Sequence, residues 1–143
     1  MNNYILAALP VTMVDFLWNQ IEPHLVKVVE LAHNEITLES TKKKIKNGDT
    51  LLIMVLKDQD IIAVNTLEVR NFESGLKCQY IPCVGGEDFD GWVHQFFEYC
   101  KMIAKEFNCT EIRGCAVRKG WLRKLSQLGY EWTDLSTIIK YEV

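Results

Sequence analysis

The chain has little of what marks several large classes of protein. No CxxC pair occurs, and the five cysteines (Cys78, Cys83, Cys100, Cys109 and Cys115) are odd in number and scattered among apolar neighbours. That pattern speaks against a disulfide framework and against a structural zinc site, which wants close ligand pairs. They read as reduced core thiols, because free cysteine packs as a small hydrophobe. No apolar run approaches the ~20 residues that span a bilayer, and Met1-Asn2-Asn3-Tyr4 lacks the basic start and small-residue cleavage site of a secretory leader. A cytoplasmic protein without membrane contact is expected. Excess charge of one sign is missing too: 16 basic and 19 acidic side chains leave a formal net charge of −3, so attraction for a charged partner must come from a local patch. The three histidines, His24, His33 and His94, lie among polar neighbours on helical segments, and no Ser-His-Asp order or metal-ligand cluster stands out. No metal is expected.

What the chain does have suits one compact domain over residues 1–143. With 48% apolar content, a chain of this length buries most of the surface its unfolded form exposes. Residues 4–9 are apolar and stop at Pro10, as a first strand would. Thr12 or Asp15 is a candidate helix cap. Apolar positions at Val14, Leu17, Trp18 and Ile21 and, past Pro23, at Leu25, Val28, Val29 and Ala32 keep helical spacing, which predicts two helical pieces broken or kinked at the proline. Thr37 opens a further helix that ends at Asn47-Gly48. From Thr50 onward the pattern becomes that of strands: residues 51–56, 61–70 and 76–84 form a three-strand meander with turns at 57–60 and 71–75. Pro82 implies a missing ladder bond, an edge position or a bulge. Trp92, Phe96, Tyr99, Cys100, Ile103, Ala104 and Phe107 share one face of a helix over about residues 90–108. Residues 111–117 then read as a strand, 120–127 as a short helix stopped by Gly129, and 132–143 as a terminal strand. Strand, helix, strand in that order makes one crossover on an otherwise antiparallel sheet.

The segment Gly85-Gly86-Glu87-Asp88-Phe89-Asp90-Gly91-Trp92, then Gly114, then Gly120-Trp121-Leu122-Arg123-Lys124-Leu125 and Gly129-Tyr130, resembles the GNAT acetyltransferase superfamily. It is similar in particular to the small GNAT-like proteins of tailed bacteriophages and prophages. The resemblance covers nearly the whole chain. It implies an α/β fold with a mixed, mostly antiparallel sheet, one parallel crossover and helices on both faces. It also implies an acetyl-CoA site at the start of the crossover helix, built on Cys83, Val84, Gly85, Gly86 and Gly91, with Arg118, Lys119 and Arg123 near the cofactor's phosphates. In the superfamily a Gln/Arg-x-x-Gly-x-Gly/Ala loop holds the pyrophosphate on helix N-terminal amides.

Two departures bear on activity. Glu87, Asp88 and Asp90 put three carboxylates at the mouth where phosphate would sit. They suit an acidic helix start in place of a lost ligand, or a pocket for a cationic partner. The tyrosine that many GNAT enzymes use as general acid, four residues before the closing Gly-aromatic pair, is Leu125 here, and leucine cannot protonate a thiolate. Tyr80 is a substitute acid and Glu68 the remaining candidate base, either with a raised pKa, or paired with Arg70 two residues on, or facing solvent. Arg118, Lys119, Arg123 and Lys124 gather four positive charges in seven residues. They form a solvated face, a cofactor phosphate contact or a docking patch. Nucleic acid is not favoured, because no aromatic platform is interleaved with them.

Two function classes remain. One is a degenerate GNAT scaffold that works through a protein partner, in a virion or on a host protein, with no cofactor. The other is an active N-acetyltransferase that takes acetyl-CoA and an amine, with a backbone oxyanion donor near Cys83 or Val84.

Overall fold

A computed structural model describes residues 3–114, 121–135 and 139–143. Five strands form one sheet in the order β1-β2-β3-β4-β5: β1 (Tyr4–Ala8), β2 (Leu51–Lys57), β3 (Asp60–Asn71), β4 (Lys77–Gly86) and β5 (Glu111–Gly114). The first four pair antiparallel, and β5 runs parallel to β4 with Cys78 opposite Glu111 and Ile81 opposite Gly114. The meander and the parallel crossover expected from strand spacing are both present. The crossover is carried by α3 (Phe89–Glu106), and the remaining helices are α1 (Val14–Glu30), α2 (Leu38–Lys46) and α4 (Trp121–Gln127).

Period-two alternation along the strands splits the interior into two cores, one on each face. Leu52, Met54, Val64 and Cys83 pack with Trp18, Ile21, Leu25 and Val28 of α1 and Ile45 of α2. Ile53, Val55, Ala63 and Leu67 pack with Trp92, Phe96 and Cys100 of α3. Residues 52–55 therefore read as an unbroken apolar run because both sides of β2 are covered.

Two irregularities shape the sheet. On β3, Ile62 is an extra residue between the pairs Val55–Ala63 and Leu56–Ile61, and its carbonyl accepts the Glu87 N–H at 2.9 Å. On β4, Ile81 and Pro82 stand together opposite Leu67, between the pairs Thr66–Cys83 and Glu68–Tyr80. Proline has no N–H for the ladder, so a bulge is where it can be tolerated. Of the three outcomes that Pro82 allowed, the bulge is the one realised.

Several local expectations are corrected. α1 runs unbroken through Pro23. The proline forfeits one helical hydrogen bond, but Trp18 and Ile21 before it and Leu25 and Val28 after it enter the same core, which holds both halves on one axis. The His24 ring reinforces this by donating from Nε2 to the Ile61 carbonyl at 3.0 Å. Neither Thr12 nor Asp15 caps α1: a 3-10 turn over Val11–Met13 precedes it and its N-cap, Met13, makes no side-chain bond. Asp15 instead meets Lys46 at 2.8 Å and Lys42 at 3.2 Å, whose hydrogen bonds lower its pKa. At α2 the reading holds, with Thr37 and Ser40 forming a reciprocal capping box. No strand forms at residues 132–135 or 139–143 among the described residues; Tyr130 and Trp132 pack instead on Phe97, toward the outer side of α3.

Candidate functional site

The start of α3 is where the sequence concentrates its candidate ligands. Helix and sheet meet there in a tight turn: Gly86 adopts φ 132° and Asp88, the N-cap, φ 56°. In that left-handed conformation the Asp88 carboxylate makes no capping bond to the helix, contrary to the expected acidic cap. It accepts the Tyr4 hydroxyl at 3.4 Å and lies 3.6 Å from Lys57 Nζ. Asp90, in the first turn of the helix, pairs with Lys124 of α4 at 3.0 Å. The acidic mouth and the basic short helix, separate surfaces in the sequence, are thus linked by an ion pair within the chain. The resulting cleft, about 330 Å³, is lined by Tyr4, Asp88, Phe89, Asp90, Gly91 and Lys124.

The three glycines at this mouth all face protein. A β-carbon on Gly85 would come within 2.1 Å of the His24 carbonyl oxygen of α1; one on Gly86, within 2.3 Å of the Ala63 α-carbon; one on Gly91, within 2.5 Å of the Tyr4 hydroxyl. Close approach of neighbouring elements accounts for these glycines. Nearby, the Trp92 indole donates to the Glu87 carbonyl at 2.6 Å and Gln95 Nε2 donates to the Tyr4 carbonyl at 3.2 Å, which seats α3 on β1. The residues present do not fit a pyrophosphate: none of these three glycines leaves an open cradle, and the Asp88 and Asp90 carboxylates stand at the helix mouth against Lys57 and Lys124. The Cys83 N–H, a candidate oxyanion donor, is taken by Thr66 Oγ1 at 3.0 Å. Val84 lies opposite Asn65 in the ladder. Arg118 and Lys119 lie outside the described residues, and Arg123 is exposed on α4.

Glu68 and Tyr80 come together on the opposite, α1/α2 side of the sheet. Glu68 is only 8% exposed and accepts from Lys44 (2.6 Å), Thr50 (3.0 Å) and Arg70 (2.7 and 3.1 Å). Burial alone pushes its carboxyl up, but the hydrogen bonds from Lys44 and Arg70 outweigh this and hold it below the ordinary value. Of the three states weighed for Glu68, the geometry is that of the one paired with Arg70. The guanidinium of Arg70 also stacks on the Tyr80 ring, 3.5 Å from its centroid. A carboxylate saturated by four donors is well suited to ordering α2 against the sheet and poorly suited to taking a proton.

Pairing of Glu68 with Arg70 was visible as an i, i+2 spacing on one strand face. Lys44, Thr50, Tyr4 and Lys57 were not singled out, since each reaches its partner across a long stretch of chain and none carries a local pattern. Among the cysteines, Cys78, Cys83 and Cys100 are buried and unpaired by disulfide, and burial pushes the Cys100 thiol up to about 12, where it is inert at neutral pH. Among the described residues no group of three or more His, Cys, Asp or Glu side chains could hold a metal, and no helix is long and apolar enough to cross a membrane.

No protein-family model matches the chain, and no curated protein matches it. Solved structures do. An aminoglycoside acetyltransferase from an uncultured soil metagenomic sample, in complex with sisomicin, superposes with a TM-score of 0.72 at 13% identity, covering 99% of this chain and 97% of its own. A GNAT family acetyltransferase from Staphylococcus aureus gives 0.67 at 17% identity, with 98% and 99% covered. A predicted acetyltransferase with acetyl-CoA from Clostridium acetobutylicum gives 0.66 at 16% identity, with 96% of each chain covered. The chain has the GNAT acetyltransferase fold.

Proposed function

We propose that this chain is a GNAT-fold protein that no longer transfers acetyl groups and acts through contact with another protein. The observation that carries the reading is the filled helix mouth: Gly85, Gly86 and Gly91 are each closed by the chain's own atoms, with Asp88 and Asp90 fixed at the entrance by Lys57 and Lys124. Fold by itself does not decide activity. Leu125 in place of the usual acid and a Glu68 held ionised by its partners point the same way. The likeness of Gly85 to Trp92 and Gly120 to Leu125 to phage and prophage proteins favours a virion-associated or host-directed partner, met in the cytoplasm of an infected bacterium.

The alternative, an acetyl-CoA-dependent N-acetyltransferase, draws on the activities of the fold's solved neighbours, one of which contains acetyl-CoA. Calorimetric titration of acetyl-CoA separates the two. No heat of binding is expected; a micromolar dissociation constant would overturn the proposal and restore the enzyme reading.

A further inference from the structure

The solvent side of α1 carries a feature that neither the core nor the α3 mouth explains. Val14, Trp18, Ile21, Leu25 and Val28 turn inward, while Phe16 on the other side is 77% exposed. Beside it along the helix lies a hollow of about 380 Å³ lined by Asn19, Glu22, Pro23 and Val26. Their spacing, i, i+3, i+4 and i+7, is that of the four-residue hole which receives a side chain from a facing helix. Pro23, with no N–H, also leaves the Asn19 carbonyl without its helical donor at this hole. One helix thus presents both an aromatic knob and a hole of matching kind.

A second copy of the same helix fits both. Laid antiparallel about a two-fold axis between Asn19 and Gln20, two α1 helices set Phe16 against Pro23 and Met13 against Val26, because both pairs are centred on that axis. Charge follows the same register. Asp15 and Glu22, seven residues apart, share the flank of α1 that faces α2. Asp15 is met by Lys42 and Lys46, one cation in excess, whereas Glu22 has no ion pair among the described residues. Antiparallel docking brings the Glu22 of each copy beside the Lys42 and Lys46 of the other; a parallel pair would set Glu22 against Glu22 and Phe16 against Phe16. The contact runs about 20 Å along the helix, and one helix pair stays below the ~800 Å² per partner of a standard interface. The expected dimer therefore forms at high micromolar concentration and dissociates on dilution.

We infer that the outer side of α1 is a self-association surface, on which two copies dock antiparallel and each inserts Phe16 into the hole formed by Asn19, Glu22, Pro23 and Val26 of the other. Knob and hole are both present on every copy, so the contact is self-complementary and closes at two. It lies on the face of the sheet away from α3 and stands whether or not the α3 mouth binds acetyl-CoA.

Sedimentation equilibrium over a dilution series tests this on the full chain. The wild-type mass is expected to rise from 16.6 kDa toward twice that value at high micromolar concentration. Phe16→Lys is expected to stay at 16.6 kDa throughout, with the urea midpoint of dilute wild type, since so exposed a ring covers nothing of its own chain. Glu22→Lys, which sets like charges together twice in each dimer, is expected to raise the dissociation constant about tenfold, and it decides the matter if Phe16→Lys does not fold. A wild type that remains monomeric overturns the inference and leaves the face to a different protein. A dimer that survives Phe16→Lys, or a Glu22→Lys chain that associates as tightly as wild type, overturns it too. So does a Phe16→Lys midpoint below that of dilute wild type, because the ring would then pack on its own chain.

Discussion

Glu68 is the residue whose chemistry is most tied to the fold. The hydrogen bonds from Lys44 and Arg70 hold its carboxyl below the ordinary glutamate value, so the stabilisation it supplies is complete above the unfolded value and fades as pH falls through the lower, folded one. Lys44 and Arg70 are about half exposed, and solvent screening weakens each pair. Glu68→Gln should therefore cost about 1–2 kcal/mol by urea denaturation at neutral pH, and the gap to wild type should close below pH 4.5. An equal gap at both ends of that range would mean that packing, and not charge, holds the site. Gly85 and Gly91 offer a second contrast at this scale. A methyl group on Gly85 meets fixed backbone of α1, whereas on Gly91 it meets the far end of the Tyr4 side chain, which can swing away. Gly85→Ala should cost about 3 kcal/mol and Gly91→Ala about 1 kcal/mol or less; comparable losses would show that Tyr4 is as rigid as the helix.

Elements whose signals are local could be read from the chain, and those decided by contact could not. Strand spacing from residue 51 to 84 and the Thr37 cap rest on neighbours in sequence, and the structure matches them. The unbroken α1 rests on an apolar face that continues past Pro23 into one core, which a rule about proline alone does not weigh. At the helix mouth, three glycines and three carboxylates were legible, but what fills the glycines comes from α1, β3 and β1, far away in sequence. Asn65 and Gln79, buried with no protein hydrogen-bond partner for their side-chain amides among the described residues, likewise lie in runs that look ordinary. One element invites improvement: the β2–β3 hairpin turns through Asp58 (φ 51°) and Gln59 (φ 72°), both left-handed, where Asn-Gly is the preferred pair. Asp58→Asn/Gln59→Gly should raise stability by about 0.5–1 kcal/mol, read as a higher urea midpoint at constant slope.

At the scale of the whole molecule, the question is whether two cores on opposite faces of one sheet unfold together. They are not separable layers, because β2 and β3 supply alternate side chains to each: Leu52 and Met54 to the α1/α2 side, Ile53 and Val55 to the α3 side. Loosening one face removes the backing that fixes the strands for the other, so a single cooperative transition is expected. Each face carries its own buried reporter, Trp18 on the first and Trp92 on the second. Leu25→Ala on the α1 side and Phe96→Ala on the α3 side should each cost about 2–5 kcal/mol. Monitored in single-tryptophan backgrounds, either change should shift the Trp18 and Trp92 transitions by equal amounts in denaturant. If Phe96→Ala lowered the Trp92 midpoint and left Trp18 in place, α3 would be a unit that detaches by itself, and the helix mouth at its start could open without unfolding the rest. That outcome would reopen the filled glycines to a ligand; coincident shifts would leave the mouth as firm as the sheet beneath it.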